Sequence, residues 1–229
     1  MNKKEFLRGM KSSVPIFLGY LGVSVGFGSA AYSKGIPLPV IVLISLTNLT
    51  SAGQFAGIGI IGASGTLFEL FVSQFMINSR YFLMSISLGQ QMKDFSLPKR
   101  LLCAFSNTDE IFAVANGEEK LSFSFYAGLS VPPYIGWALG TLIGGVASMI
   151  VPPELKCALN IMLYAMFVAI VLPKCRKTDT LICVLITAAI STVIYFVPVF
   201  SFITDGFAII ISTLISSVFC ALVFREAGE

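Results

Sequence analysis

Apolar residues run along this chain in long blocks, and charged residues only bracket them. Residues Met1 to Lys11 carry Lys3, Lys4, Arg8 and Lys11, and an apolar stretch follows from Ser12 to about Ala31. Further blocks cover 36–63, 65–89, 121–151, 155–173, 179–199 and 206–224. A weaker block, 101–117, is interrupted by Ser106-Asn107-Thr108-Asp109-Glu110. A helix needs about 20 apolar residues to cross a bilayer, and backbone in lipid must satisfy its own hydrogen bonds. The pattern predicts an all-α membrane protein, a polytopic helical bundle of about 7–8 membrane segments. It forms a single transmembrane domain over residues 1–229. The first block has the outline of a signal peptide, with Gly28-Ser29-Ala30-Ala31 as a cleavage site. It is longer than a signal core and more spans follow, so it reads as a first membrane helix.

The loop charges set the expected orientation. The basic N-terminus, the loop with Lys174, Arg176 and Lys177, and Arg225 all belong in the cytoplasm by the positive-inside rule, so both termini are expected there. The 200–205 turn carries only Asp205 and suits the outside. Lys93, Lys99 and Arg100 also ask for the inside. Simple alternation puts them outside if 36–63 and 65–89 each cross once. The favoured solution is that 36–63 is broken or re-entrant; the other is a loop that violates the rule.

Composition narrows the class. Hydrophobic residues make up 56% and charged residues 12%, with a mean hydropathy of +0.88. A soluble domain carries about 25% charge, so a soluble globular or disordered chain is excluded. The net charge of +3 forms no basic stripe, so no nucleic-acid partner is expected. The cysteines Cys103, Cys157, Cys175, Cys183 and Cys220 are scattered, without a C-x-x-C pair, and read as small apolar fillers. Histidine is absent, which removes the commonest metal ligand and proton shuttle. No metal and no cofactor are expected, and proton coupling would need Asp, Glu, Tyr or water.

A weak internal repeat is visible. Ser13-Val14-Pro15-Ile16-Phe17-Leu18-Gly19-Tyr20 resembles Ser130-Val131-Pro132-Pro133-Tyr134-Ile135-Gly136-Trp137. It divides the chain into pseudo-repeat halves of about 12–117 and 121–224, an organisation common in secondary transporters. Small residues recur every fourth position at Gly22, Gly26, Ala30 and at Gly136, Gly140, Gly144, Ser148, which lets helix backbones approach closely. Residues 121–151 would be about 46 Å long as one straight helix, so Pro132-Pro133 is expected to end or kink it.

Polar residues inside a membrane are costly and are functional suspects. Three clusters stand out. In Thr47-Asn48-Leu49-Thr50-Ser51-Ala52-Gly53-Gln54, Ser51-x-x-Gln54 has the capping-box form that begins a helix. Within an apolar run it predicts a discontinuous helix whose positive end could hold a carboxylate. Asn48-Leu49-Thr50 also matches a glycosylation sequon, but an apolar run is a poor acceptor. Gly57-x-Gly59-x-x-Gly62 lacks the flanking strand and later acid of a dinucleotide site and is a chance match. On 65–89, Phe68, Phe71, Phe75 and Phe82 fall within about 60° of one another, a lipid face. Glu69, Ser73, Met76, Arg80 and Ser87 fall on another stripe, while Asn78 projects near the phenylalanines. Arg80 should face protein or water, paired with Glu69, Asp109 or Glu110 or serving a ligand. The third cluster, Ser106 to Glu110, again has the form of a helix start, and its adjacent carboxylates could bind an amine or carry protons.

Thr50-Ser51-Ala52-Gly53-Gln54-Phe55, Ile77-Asn78-Ser79-Arg80-Tyr81-Phe82-Leu83-Met84-Ser85 and Thr108-Asp109-Glu110-Ile111-Phe112-Ala113 together resemble the AzlC/YgaZ family. Its members are large subunits of bacterial branched-chain amino-acid permeases. The motifs lie between 50 and 113; the second half matches in hydropathy only, and Ser79 stands where relatives are expected to be apolar. The resemblance implies a multi-pass protein of the bacterial cell (inner) membrane that exports branched-chain or other apolar amino acids with a small AzlD/YgaH-type membrane subunit. No P-loop is present, so a secondary, proton-linked mechanism is the economical one.

Such a zwitterionic substrate needs three subsites. Its carboxylate is assigned to the helix start at Ser51–Gln54, with Arg80 as the alternative cation. Its ammonium, or a coupling proton, goes to Asp109 or Glu110. Phe55, Tyr81 and Met84 could line the apolar pocket, and Asn48, Gly53 and Asn78 complete the candidate set. One rival is a non-transporting assembly or regulatory membrane subunit. An enzyme is disfavoured, because there is no histidine, no H-E-x-x-H and no G-x-S-x-G elbow.

Overall fold

A computed structural model describes residues 2–150, 175, 178–197 and 205–224. The block 155–173, Cys157, the charges Lys174, Arg176, Lys177 and Arg225, and residues 200–204 lie outside the described residues. Every regular element among the described residues is a helix: α1 Lys3–Ser33, α2 Leu38–Thr47, α3 Ala52–Gly62, α4 Leu67–Gln91, α5 Leu97–Phe105, α6 Asp109–Asn116, α7 Phe123–Ile150, α8 Thr178–Phe196 and α9 Asp205–Val223. Of these, α1, α7 and α8 are long and apolar enough to cross a membrane. The chain divides into two compact units, residues 1–55 with 77–163, and residues 56–76 with 164–229.

The first unit is built on α1 and α7, which run side by side in the same direction. The backbone N–H of Asn2 donates to Ser124 Oγ at 2.8 Å at one end, and Ser148 Oγ donates to Ser29 Oγ at 2.7 Å at the other. Between these points Gly128 lies on the backbone of Phe6, Gly140 on that of Leu21 and Gly144 on that of Val25. A methyl group at any of the three would overlap main chain. Glycine is therefore what allows the backbones to touch, and close packing replaces a hydrophobic drive that lipid does not supply. The α7 stripe behaves as its spacing predicts. The α1 stripe does not, because Gly22 and Gly26 have open space at their Cβ positions. The face that α1 turns to α7 carries Gly9, Ser24, Gly28 and Ser29 instead. Helix α7 also runs through Pro132 and Pro133 without ending.

Helix α2 runs antiparallel to α7. Leu38 packs near Gly145, Ser45 Oγ lies 2.8 Å from Thr141 Oγ1, and the Tyr134 hydroxyl donates to the Leu46 carbonyl at 2.9 Å. The charged ends gather together. Arg8 pairs with Glu118 at 2.6 Å and lies over the Phe125 ring. Lys99 Nζ lies 5.4 Å from the Phe123 ring centre. Gln91 donates to Asn116 at 3.1 Å, and the Arg100 side chain donates to the carbonyls of Phe95 and Lys93. The start of α1, the end of α4, the start of α5, the end of α6 and the start of α7 thus share one end of the unit. The basic cluster Lys93–Arg100 lies at the same end as Arg8.

Helices α5 and α6 both have one end there, so the chain between them, 106–108, is the apex of a short helical V. The two arms contribute Cys103, Ile111 and Ala115 to a core with Leu88, Met92, Leu121, Phe125, Tyr126 and Leu129.

In the second unit, the end of α3 and the start of α4 form an antiparallel hairpin, with Gly57 facing Leu70 and Gln74. Its turn places Ser64 at φ 57°. Thr66 and Glu69 then form a full capping box: the Thr66 N–H donates to Glu69 Oε2 at 2.7 Å, and the Glu69 N–H to Thr66 Oγ1 at 3.2 Å. Glu69 is therefore a cap and not the partner of Arg80. Helices α8 and α9 pack together through Thr187 Oγ1, which donates to Ser216 Oγ at 2.6 Å. Cys183 and Cys220 form a disulfide, with Cα atoms 6.1 Å apart. This corrects the filler reading for those two residues: facing positions on paired helices meet, a proximity that spacing along the chain does not reveal. Phe68, Phe71, Phe75 and Phe82 are between 64% and 70% exposed, as a lipid face requires.

Candidate functional site

Of the links between helices in the first unit, residues 48–51 and 106–108 are the interruptions beside which its unusual polar residues collect. At the first, α2 ends at Thr47 and Asn48 is extended, with φ −144° and ψ 130°. Asn48 Oδ1 accepts from the Thr50 N–H at 2.9 Å, closing a turn. Ser51 adopts the left-handed conformation, φ 48°, and α3 begins at Ala52. Gln54 reaches back so that its Oε1 accepts the Ser51 N–H at 3.2 Å. Its Nε2 donates to Ser45 Oγ at 3.3 Å, and Ser45 is paired with Thr141. Gln54, Ser45 and Thr141 are all buried. The result is a polar chain that ties the start of α3 to α2 and α7. Gly53 and Phe55 are buried beside it.

At the second interruption Thr108 caps α6, its Oγ1 accepting from the Ile111 N–H at 3.5 Å. The helix start falls where the sequence suggests, but the cap is Thr108 and not Ser106 or Asn107. Ser106 instead donates to Ser130 at 2.9 Å on α7, and Asn107 Nδ2 donates to Ser85 at 3.3 Å on α4. Asp109 and Glu110 occupy the first turn of α6, where the helix dipole favours negative charge.

Each acid has its own partner. Arg80 Nη1 lies 2.8 Å from Asp109 Oδ2, with the side chains 41% and 43% exposed. Arg80 also lies over the Tyr81 ring, 5.2 Å from its centre. Glu110 Oε2 accepts from the Tyr20 hydroxyl at 2.6 Å. Asn78 and Met84 are half-buried on the same helix as Arg80.

Gln54 does not touch this ion pair. An aromatic series connects the two places. The Tyr20 and Trp137 rings meet edge to face at 5.6 Å, Trp137 stacks on Phe27 at 6.2 Å, and Phe27 meets Phe55 edge to face at 5.3 Å. Next to the apex of the V, a cavity of about 340 Å³ lies between α5 and α7, lined by Leu102, Phe105, Ser106, Tyr126, Ser130 and Tyr134 among others.

Sequence reasoning passes over Tyr20, Phe27, Ser45, Trp137 and Thr141. One signal does point to two of them: Tyr20 and Trp137 close the two matched repeat segments, and they are the residues that meet. Ser45 and Thr141 are single hydroxyl residues in apolar helices and give no such signal.

The arrangement sets carboxylates at one helix start and a hydrogen-bonded turn at another, with the buried rings of Trp137, Phe27 and Phe55 packed between them. Among the described residues no group of acidic or cysteine side chains could hold a metal ion.

Comparison with known proteins agrees in class. Residues 15–151 match the family model described as AzlC protein. The chain is 28% identical over 205 residues to the inner membrane protein YgaZ of Escherichia coli, covering 86% of this chain and 82% of that protein. It is 31% identical over 173 residues to an uncharacterized membrane protein of Archaeoglobus fulgidus, covering 75% and 76%. The branched-chain amino acid transport protein AzlC of Bacillus subtilis is 25% identical over 189 residues, covering 77% and 72%. No solved structure matches. With the matched region spanning α1 to α7 and containing both interruptions, the chain is a membrane protein of the AzlC family.

Proposed function

We propose that this chain is the large subunit of an exporter for branched-chain or other apolar amino acids. It works in the bacterial inner membrane with a small AzlD/YgaH-type membrane subunit, by a secondary, proton-linked mechanism. The observation that carries this reading is the Arg80–Asp109 pair beside Tyr20–Glu110 at the apex of the α5–α6 V. Arg80 stands in the middle of α4, and a charged group within an apolar helix is expensive in lipid and persists where it serves a path. The name of the Bacillus subtilis relative supplies the substrate class.

In this reading the shared basic end faces the cytoplasm. Helix α2 enters from the opposite side, and the chain turns at 48–51 before α3 begins at Ala52. The 106–108 apex enters from the cytoplasm. The substrate ammonium is held by Asp109 or Glu110, either of which can also carry the proton. The carboxylate is held near Ser51–Gln54, and Phe55, Tyr81 and Met84 face the aliphatic side chain. Asn48 and Gly53 shape the first turn, and Asn78 lies on the path with Arg80. The two matched segments then mark two halves of one transport domain.

The test is export of labelled leucine from proteoliposomes, with and without the small subunit. Asp109→Asn is expected to abolish export while the protein still inserts and folds. Undiminished export by both Asp109→Asn and Glu110→Gln would refute the proton-carrier role, and no leucine movement at all would refute the substrate.

A further inference from the structure

We propose that the indole N–H of Trp137 is a hydrogen-bond donor to the carboxylate of the transported amino acid. This assignment rests on the reading of the chain as an amino-acid transporter. Trp137 is 1% exposed, and its Nε1 is buried with no hydrogen-bond partner. A buried indole N–H almost always finds a partner. An unmade one destabilises the resting protein, and phenylalanine would fill an apolar site without that cost. The donor therefore calls for an acceptor that comes and goes.

Its location says which acceptor. The ring is stacked on Phe27, which leads to Phe55 at the 48–54 turn, and its other neighbour is Tyr20, whose hydroxyl is bound to Glu110. Trp137 is thus one ring away from each helix interruption. Of the other strong donors nearby, Arg80 Nη1 is paired with Asp109 and the Tyr20 hydroxyl is bound to Glu110, while Arg80 Nε, like the indole, is buried without a partner. At the 48–54 turn the N–H groups of Thr50, Ser51 and Gly53 are already bonded, so a zwitterion whose carboxylate lies near that turn finds few free donors there, while carboxylates are present for its ammonium. The indole can only donate, so the carboxylate is the group it can serve. Tyr20 and Trp137 also end the two matched segments. One half of the pair then positions an acid, and the other presents a donor.

Trp137 is the single tryptophan of the chain, so its fluorescence reports on the site directly. The experiment uses the full chain in lipid nanodiscs, with L-leucine and L-leucinamide, which lacks the carboxylate. Calorimetry measures affinity and tryptophan emission reports contact. Leucine is expected to shift the emission, and Trp137→Phe to weaken leucine binding about ten-fold or more, the worth of a hydrogen bond to a charged group. Leucinamide binding should change little, and the melting temperature of the unliganded variant should not fall through loss of the N–H. Because Phe is smaller, a second replacement of Trp137 by benzothienylalanine keeps the bicyclic ring and exchanges N–H for sulfur; it should show the same selective loss. Equal leucine affinity in the wild type and the benzothienylalanine protein would overturn the proposal while leaving the transporter reading intact. Absence of leucine binding to the wild-type protein would overturn both.

Discussion

The Arg80–Asp109 pair should respond asymmetrically when its two members are removed one at a time. The contact is 2.8 Å, but both side chains are close to half exposed. Solvent-screened pairs of this kind are worth about 0.2–1 kcal/mol, so we take the coupling as about 1 kcal/mol and not the several that a dry pair would give. Loss of one partner strands the other in different surroundings. Without Arg80, Asp109 still sits in the first turn of α6, where the helix dipole supports a carboxylate by about 0.3–1 kcal/mol. Without Asp109, Arg80 keeps the Tyr81 ring, a contact of about 0.5–1 kcal/mol when exposed, on a helix where an unpaired cation costs about 2.5–3.5 kcal/mol at full membrane depth. Asp109→Asn should therefore cost about 2 kcal/mol and Arg80→Met about 1 kcal/mol. The double variant should be no worse than Asp109→Asn alone. Reversible unfolding in mixed micelles of the two single variants and the double variant measures all three. Strictly additive costs, or Arg80→Met as the more damaging change, would refute the reasoning.

Tyr20→Phe removes the donor to Glu110 and should cost about 1.5 kcal/mol, the low end for a bond to an accessible charge; unfolding of the variant checks it, and no change would mean that the bond is not formed in the membrane. Gly140→Val meets the Leu21 backbone and should prevent close packing of α1 on α7, at about 3 kcal/mol or more. Gly26→Ala, with open space around its Cβ, should leave the yield of monodisperse protein unchanged. Reduction of the Cys183–Cys220 link, or Cys183→Ser, should destabilise the α8–α9 pair by about 3–4 kcal/mol for a bridge closing 37 residues; intact-mass analysis without reductant should first show the bond.

The helical class and the first-half motifs were legible because membrane insertion leaves a one-dimensional record. Apolar length reports helices, and a polar residue within such a run announces itself. Ser51-x-x-Gln54 therefore located the start of α3, and Asp109-Glu110 the start of α6. What happened at those places was less legible, since a cap is a choice among neighbours. Thr108 took the α6 cap while Ser106 and Asn107 turned to Ser130 and Ser85. Thr66-x-x-Glu69 fits the same capping formula as Ser51-x-x-Gln54, yet Glu69 read as a possible partner for Arg80 because ion pairs cannot be ranked without distances.

Residues whose meaning comes from a second helix were hidden. Gly26 and Gly140 are equal members of their stripes, and only the phase of α1 against α7 makes one indispensable and the other idle. Cys183 and Cys220 have no motif spacing, and pairing of α8 with α9 creates their relationship. Tyr20 and Trp137 fall between these cases. The short repeat brought them to notice as equivalent positions, but equivalence does not imply contact. The contact follows because α1 and α7 run parallel in nearly the same register as the repeat, so matched residues become neighbours across the helix pair. That geometry lets a short repeat point to the aromatic series that joins the two helix interruptions.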